Sequence, residues 1–142
     1  MPINTRENWQ TLADSLQIRT RAFIDGRYVD AASGKTFDCF SPIDGRLLGR
    51  VAECEIEDVN RAVAVSRTRF EAGVWAETRP VHRKKVLLRF AELIQSHASE
   101  LALLESLDMG KPVGDALAKE HGRALLQKRF ADFRKHRVNQ HV

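Results

Sequence analysis

The chain has 142 residues, 43% of them hydrophobic and 30% charged, which is the size and balance of one globular domain rather than a disordered segment. No apolar run approaches the roughly 20 residues needed to span a bilayer, and the two cysteines, Cys39 and Cys54, are too few for a disulfide framework and form no metal-ligand spacing. The net charge of +4 is unevenly spread: residues 1–120 carry 17 Lys and Arg against 18 Asp and Glu, whereas 121–142 carry six basic residues, one Asp and three of the five His. This shift is the sharpest boundary in the sequence, and it divides the chain into 1–120 and a basic helical tail, 121–142. The first ten residues lack the apolar stretch of a secretory signal, so a cytoplasmic location is expected.

The chain opens with a predicted amphipathic helix over 4–18, in which Asn4 and Glu7 have capping-box spacing and Trp9, Leu12, Ala13 and Leu16 share a face. Two short β-prone runs then flank Asp25-Gly26, the dipeptide that suits a type I′ hairpin turn. A second pair of strands, 36–41 and 46–52, flanks the turn Pro42-Ile43-Asp44-Gly45. Together they predict a β-meander.

The second half reads as helical. Acids at 55–58 favour a helix start by complementing the dipole, and that helix is expected to bury Val59, Ala62, Val63 and Phe70 and to stop at Gly73. Pro80 opens the next helix, with Val86, Leu87, Phe90, Leu93 and Ile94 as its apolar stripe. Ser99 is the expected cap of a third, which ends at Gly110 with Pro112 beyond. Residues 114–137 predict one basic helix with Leu117, Leu125 and Phe133 on one side.

Self-contained chemistry is missing from these elements. Cys39 sits in a predicted strand as a structural thiol, and Cys54 precedes an acidic cluster, a poor setting for a nucleophile. His82 and His97 fall on polar helix surfaces. The sequence contains no Gly-x-Gly-x-x-Gly, Walker loop or His-Glu-x-x-His. The basic run from Arg79 to Arg89 lies opposite an apolar stripe and lacks aromatic interleaving, so nucleic acid is not the expected partner.

The stretches Asn8-Trp9-Gln10, Arg21-Ala22-Phe23-Ile24-Asp25-Gly26-Arg27-Tyr28 and Thr36-Phe37 resemble the N-terminus of NAD(P)-dependent aldehyde dehydrogenases. So do Ser41-Pro42, Gly45 and Trp75, and above all Leu104-Glu105-Ser106-Leu107-Asp108-Met109-Gly110-Lys111-Pro112, which is similar to the family's Leu-Glu-Thr-Leu-Asp-Thr-Gly-Lys-Pro signature. Within the family, the nearest likeness is to bacterial enzymes acting on γ-glutamyl-γ-aminobutyraldehyde in putrescine breakdown.

The resemblance covers about 1–120. It implies an α+β chain: an N-terminal β-meander with the helices of an α/β cofactor domain, cut off before the Rossmann-like sheet. The implied parent activity is oxidation of an aldehyde to a carboxylate with NAD(P). The family's cysteine nucleophile, glutamate base, oxyanion-stabilising asparagine and cofactor loop all lie beyond the signature. No catalytic or cofactor-binding residue is therefore expected here, and the isolated chain is expected to bind no NAD(P) and to be inactive. Some relatives hold K⁺ or Na⁺ through backbone carbonyls and an aspartate that correspond to Cys39, Phe40 and Asp108, oxygen donors that suit a hard cation; read without the resemblance, Asp108 is a surface acid at a helix end.

After Glu120 the likeness fades as the charge rises, the pattern of a frameshifted or truncated product, and the tail is expected to be dispensable to the fold of 1–120. The rival reading is a small interaction module that binds a partner through exposed helical faces or the basic tail. In either case the apolar helix faces, including Leu87, Phe90, Ile94, Leu101 and Leu104, are expected to meet water and to promote self-association.

Overall fold

A computed structural model describes residues 5–137, with side-chain surroundings through Lys128. It comprises α1 (Arg6–Ser15), β1 (Ala22–Ile24), β2 (Arg27–Val29), β3 (Thr36–Phe40), β4 (Leu47–Ala52), α2 (Ile56–Glu71), α3 (Pro80–Ser96), α4 (Ala98–Met109) and α5 (Val113–Arg137). These elements fall into two compact units: a hairpin unit, Gln17–Thr78, and a helical unit built from α1 and α3–α5.

The hairpin unit follows its turn residues closely. Asp25 and Gly26 both take positive φ, 53° and 76°, so the turn between β1 and β2 has the left-handed twist that a two-residue hairpin requires. The hairpin is reinforced by Phe23 and Tyr28, which pair across the strands with ring centroids 5.1 Å apart. β3 and β4 form a second antiparallel pair around the Pro42–Gly45 turn, where the Gly45 amide donates to the Ser41 carbonyl at 2.8 Å. The predicted meander thus resolves into two separate two-stranded sheets among the described residues. A backbone bond from the Ala52 amide to the Thr20 carbonyl (2.9 Å) ties the segment before β1 to the end of β4 without extending either ladder.

α2 starts where its acids predict, but its apolar face does not behave as expected. Val59 and Val63 are exposed and Phe70 is 73% exposed, while the one buried residue of the helix is Asp58. Helical periodicity reports which residues share a face. It carries no information on whether another element covers that face.

In the helical unit, Pro80 occupies the first turn of α3 as expected, and Gly110 closes α4 in the left-handed conformation (φ 72°). The remaining cap assignments shift. Thr5, not Asn4, caps α1, its hydroxyl accepting the Asn8 amide at 3.3 Å; Asn4 lies outside the described residues. His97, not Ser99, precedes α4, and Ser99 falls inside its first turn, because α3 and α4 join through the single residue His97 and leave no room for a later start.

α5 packs against both α3 and α4. The buried apolar residues of the unit are mostly small: Ala91, Ala98, Ala102, Ala116 and Ala124, with Leu103 and Leu107. Small side chains let helix backbones approach closely, so the core is built from proximity more than from bulk. α5 runs unbroken past Glu120, with Ala124 buried and the Lys128 ammonium donating to the Gln95 Oε1 at 3.0 Å. The tail therefore packs on the helical unit, contrary to the expectation that it is dispensable; Leu125 is exposed, and the Phe133 side chain lies outside the described residues. Leu87, Ile94, Leu101 and Leu104 are half-buried and Phe90 is exposed, which leaves apolar surface on α3 in contact with water. Among the described residues no helix is long and apolar enough to cross a membrane.

Candidate functional site

The sequence nominates two places for chemistry: the end of β3, with Cys39 and Phe40, and the end of α4, with Asp108. On β3, Cys39 is half-buried and Phe40 exposed, and the ladder with β4 slips between them: Cys39 faces Gly49, but Phe40 faces Leu47. A bulge of this kind disrupts the ladder locally and changes where backbone groups point. The register slip thus falls on the two residues whose carbonyls the resemblance offers to a cation. Just beyond them the chain is fixed by Ser41, which is almost fully buried; its amide donates to the Arg46 carbonyl at 2.9 Å and its hydroxyl accepts from the Ile43 amide at 3.3 Å.

Asp108 sits in the last turn of α4 and is exposed. An acid there opposes the helix dipole, whose C-terminal end favours cations. Asp108 belongs to the helical unit and Cys39 and Phe40 to the hairpin unit. Among the described residues, no group of three or more His, Cys, Asp or Glu side chains converges into a metal-binding set.

The end of α4 contains an arrangement that the sequence did not reveal. Ser106, buried, donates its hydroxyl to the Lys111 carbonyl at 2.7 Å, while its own carbonyl accepts the Gly110 amide at 2.9 Å. One turn earlier, the Glu105 side chain is only 12% exposed; its Oε1 accepts from the Lys119 ammonium of α5 at 2.6 Å, and the Lys111 ammonium lies 3.6 Å from Oε2. The Lys119 hydrogen bond holds the Glu105 carboxyl below its ordinary value against the opposing effect of burial, with Lys111 and Arg123 adding attraction. Glu120, buried on α5, pairs with Arg123. Glu105 and Lys119 are 14 residues apart, so their meeting depends on the angle of the turn and has no local sequence signal.

A comparable polar anchor organises the hairpin unit. Asp58 is 2% exposed, and its carboxylate accepts the Ala32 amide at 3.0 Å and the Glu55 amide at 3.2 Å. It therefore caps α2 and secures the loop between β2 and β3. The acidic start of α2 was legible in the sequence, but the reach across 26 residues to Ala32 was not.

Neither cysteine forms a disulfide, and Cys54 is exposed. His82 is exposed, and His97 is an exposed partner of Glu100 at 3.1 Å, as their polar surroundings suggest. The residues present do not fit a dinucleotide. Both sheets are antiparallel, so among the described residues there is no parallel-strand switch point, and the sequence has no glycine-rich phosphate loop. The most enclosed hollow, about 70 Å³ between Ile24, Asp25, Arg27 and Arg61, is well below the usual size of a small-molecule site.

A profile of the aldehyde dehydrogenase family matches residues 28–141. The chain belongs to that family. The match continues past Glu120, where the likeness read from the sequence fades. The chain is 49% identical over 109 residues to aminoacetaldehyde dehydrogenase of Pseudomonas aeruginosa, a match covering 77% of this chain and 22% of the relative. Among solved structures it is similar to γ-glutamyl-γ-aminobutyraldehyde dehydrogenase of Burkholderia cenocepacia, at 54% identity and a TM-score of 0.85, over 89% of this chain and 26% of that one. It is also similar to an indole-3-acetaldehyde dehydrogenase solved with NAD⁺, at 48% identity and a TM-score of 0.87, over 91% of this chain and 26% of that one. The chain thus spans about a fifth of the length of the curated relatives it matches. Its mixture of helices and small antiparallel sheets matches the N-terminal part of the aldehyde dehydrogenase fold.

Proposed function

We propose that this chain forms the N-terminal part of an NAD(P)-dependent enzyme that oxidises an aldehyde to a carboxylate, and that the 142-residue polypeptide by itself turns over no substrate. The observation that carries the reading is the fold match at a TM-score of 0.87 over 91% of the chain, to a relative whose solved structure holds NAD⁺. In this reading the segment 1–120 contributes scaffold to a cofactor domain, and 121–142 is a compositionally distinct, basic continuation of it. The substrate class is an amino-substituted or amidated aldehyde of the kind named for two relatives, aminoacetaldehyde and γ-glutamyl-γ-aminobutyraldehyde, which places the enzyme in polyamine breakdown such as that of putrescine. The location is cytoplasmic. The Cys39 and Phe40 carbonyls together with Asp108 are proposed ligands of a monovalent cation, a hard ion suited to oxygen donors. The exposed apolar faces of α2 and α3 make the isolated chain prone to self-association.

Two measurements test this. Incubating the purified chain with aminoacetaldehyde and NAD⁺ or NADP⁺ is expected to give no reduced cofactor above the buffer rate; turnover abolished by Cys39→Ala or Cys54→Ala would contradict the reading. Grafting residues 1–120 in place of the matching segment of the Burkholderia cenocepacia enzyme is expected to preserve aldehyde oxidation. A folded but inactive chimera would argue against a shared role for the segment.

A further inference from the structure

The family signature at the end of α4 contains four groups that act on one turn. Gly110 supplies the left-handed backbone, Ser106 ties that backbone to the Lys111 carbonyl, and Lys111 and Lys119 bring their ammonium groups to opposite oxygens of Glu105. The Glu105 side chain is largely hidden, whereas Lys119 is half-exposed. A carboxylate in that position has given up most of its water and depends on its two cations for compensation. An exposed ion pair elsewhere on the chain, such as Lys35 with Glu55, lacks this dependence, since water replaces either partner at little cost.

We propose that Glu105 is the latch of the α4–α5 turn: its carboxylate, clasped by Lys111 from the turn and Lys119 from α5, holds the start of α5 against α4, and protonation of Glu105 releases it. Among the described residues, the charges acting on Glu105 are Lys111 from the turn and Lys119 and Arg123 from α5, with none from α1 or α3; on α4 itself the nearby acid is Asp108, one turn on. A carboxyl that titrates lower when folded than when unfolded contributes its stabilisation above the ordinary value of 4.5 and loses it as pH falls through the folded value. The latch is therefore closed at neutral pH and opens in acid.

The readout is hydrogen exchange of the amides that the turn protects, Gly110, Asp115 and Ala116, which donate to the Ser106 and Pro112 carbonyls. Protection factors, corrected for intrinsic rates, are compared between pH 7 and pH 3.5 in the full 142-residue chain, with the β3–β4 ladder amides as reference. The wild-type turn is expected to lose protection on acidification by roughly fivefold more than the reference, the scale of one charge-assisted hydrogen bond. Glu105→Gln should start at the low value already at pH 7 and show no extra step in acid. Wild-type protection at pH 7 in Glu105→Gln, or a preserved acid step, overturns the proposal. If that variant fails to fold, Lys119→Met and Lys119→Arg decide: the arginine should retain the turn's protection and the methionine lose it by about fivefold, and equal values for the two overturn the latch.

Discussion

The two units of the molecule hide different chemistry. In the helical unit the buried side chains are largely alanines at helix crossings, with Leu103 and Leu107 among them. In the hairpin unit the buried positions are Ala31, Ser41, Asp58 and Gly73, and no large apolar side chain falls below the surface completely. The first unit is held by van der Waals contact between closely approaching helices. The second is held by turn geometry and by carboxylate and hydroxyl groups that satisfy loop amides. Part of an enzyme fold can therefore order its backbone locally by two routes, only one of which uses a hydrophobic core.

The largest expected effect tests the packed unit. Leu107→Ala removes buried methyl groups from α4 and is expected to cost about 3 kcal/mol, within the range for Leu truncation in well-packed cores. Trp9 on α1 reports this unit, and a Trp75→Phe background removes the other tryptophan, so the urea midpoint followed by Trp9 fluorescence measures the loss. A cost under about 1 kcal/mol would mean that the helices are loosely packed and that the contrast with the hairpin unit is overstated. A somewhat smaller effect tests the polar unit. Asp58→Ala leaves the Ala32 and Glu55 amides without their acceptor and is expected to cost about 2 kcal/mol, with Asp58→Asn recovering part of it through its remaining oxygen. Trp75 fluorescence in a Trp9→Phe background is the measurement. Equal midpoints for the alanine variant and wild type would show that the loop holds its shape without the carboxylate.

How much of this was legible in the sequence depends on the range of the interaction. Asp25-Gly26, Pro80 and Gly110 act through their own backbone preferences, and each lies where those preferences place it. The capping serine was misassigned because Ser99 and His97 compete within one tight junction, where geometry overrides side-chain preference. The Glu105–Lys119 pair and the Asp58–Ala32 contact were invisible, since each depends on a chain reversal that no local pattern encodes. The metal-ligand expectation for Cys39, Phe40 and Asp108 came from resemblance alone. The structure adds a bulge at the first two and an exposed carboxylate at the third.

The smallest expected effect concerns the face of α2 that periodicity marked as buried. Phe70 lies among Val59, Ala62, Val63, Ser66 and Arg67 on a shallow apolar surface, and its ring is mostly in water. Its one recorded aromatic contact is the Arg67 guanidinium, 6.0 Å from the ring centre, at the outer limit for a cation–π interaction. Phe70→Gln forfeits that weak attraction and gains a few tenths of a kcal/mol in helix propensity, so the two changes nearly cancel. The expected shift in stability is within about 0.5 kcal/mol, as for other surface substitutions. Binding of an apolar dye and the apparent mass in sedimentation should nevertheless both fall, because the substitution removes the largest apolar group from the exposed face. A destabilisation above about 1.5 kcal/mol would place Phe70 in a core, contradicting its exposure, and would return α2 to the role its periodicity first suggested.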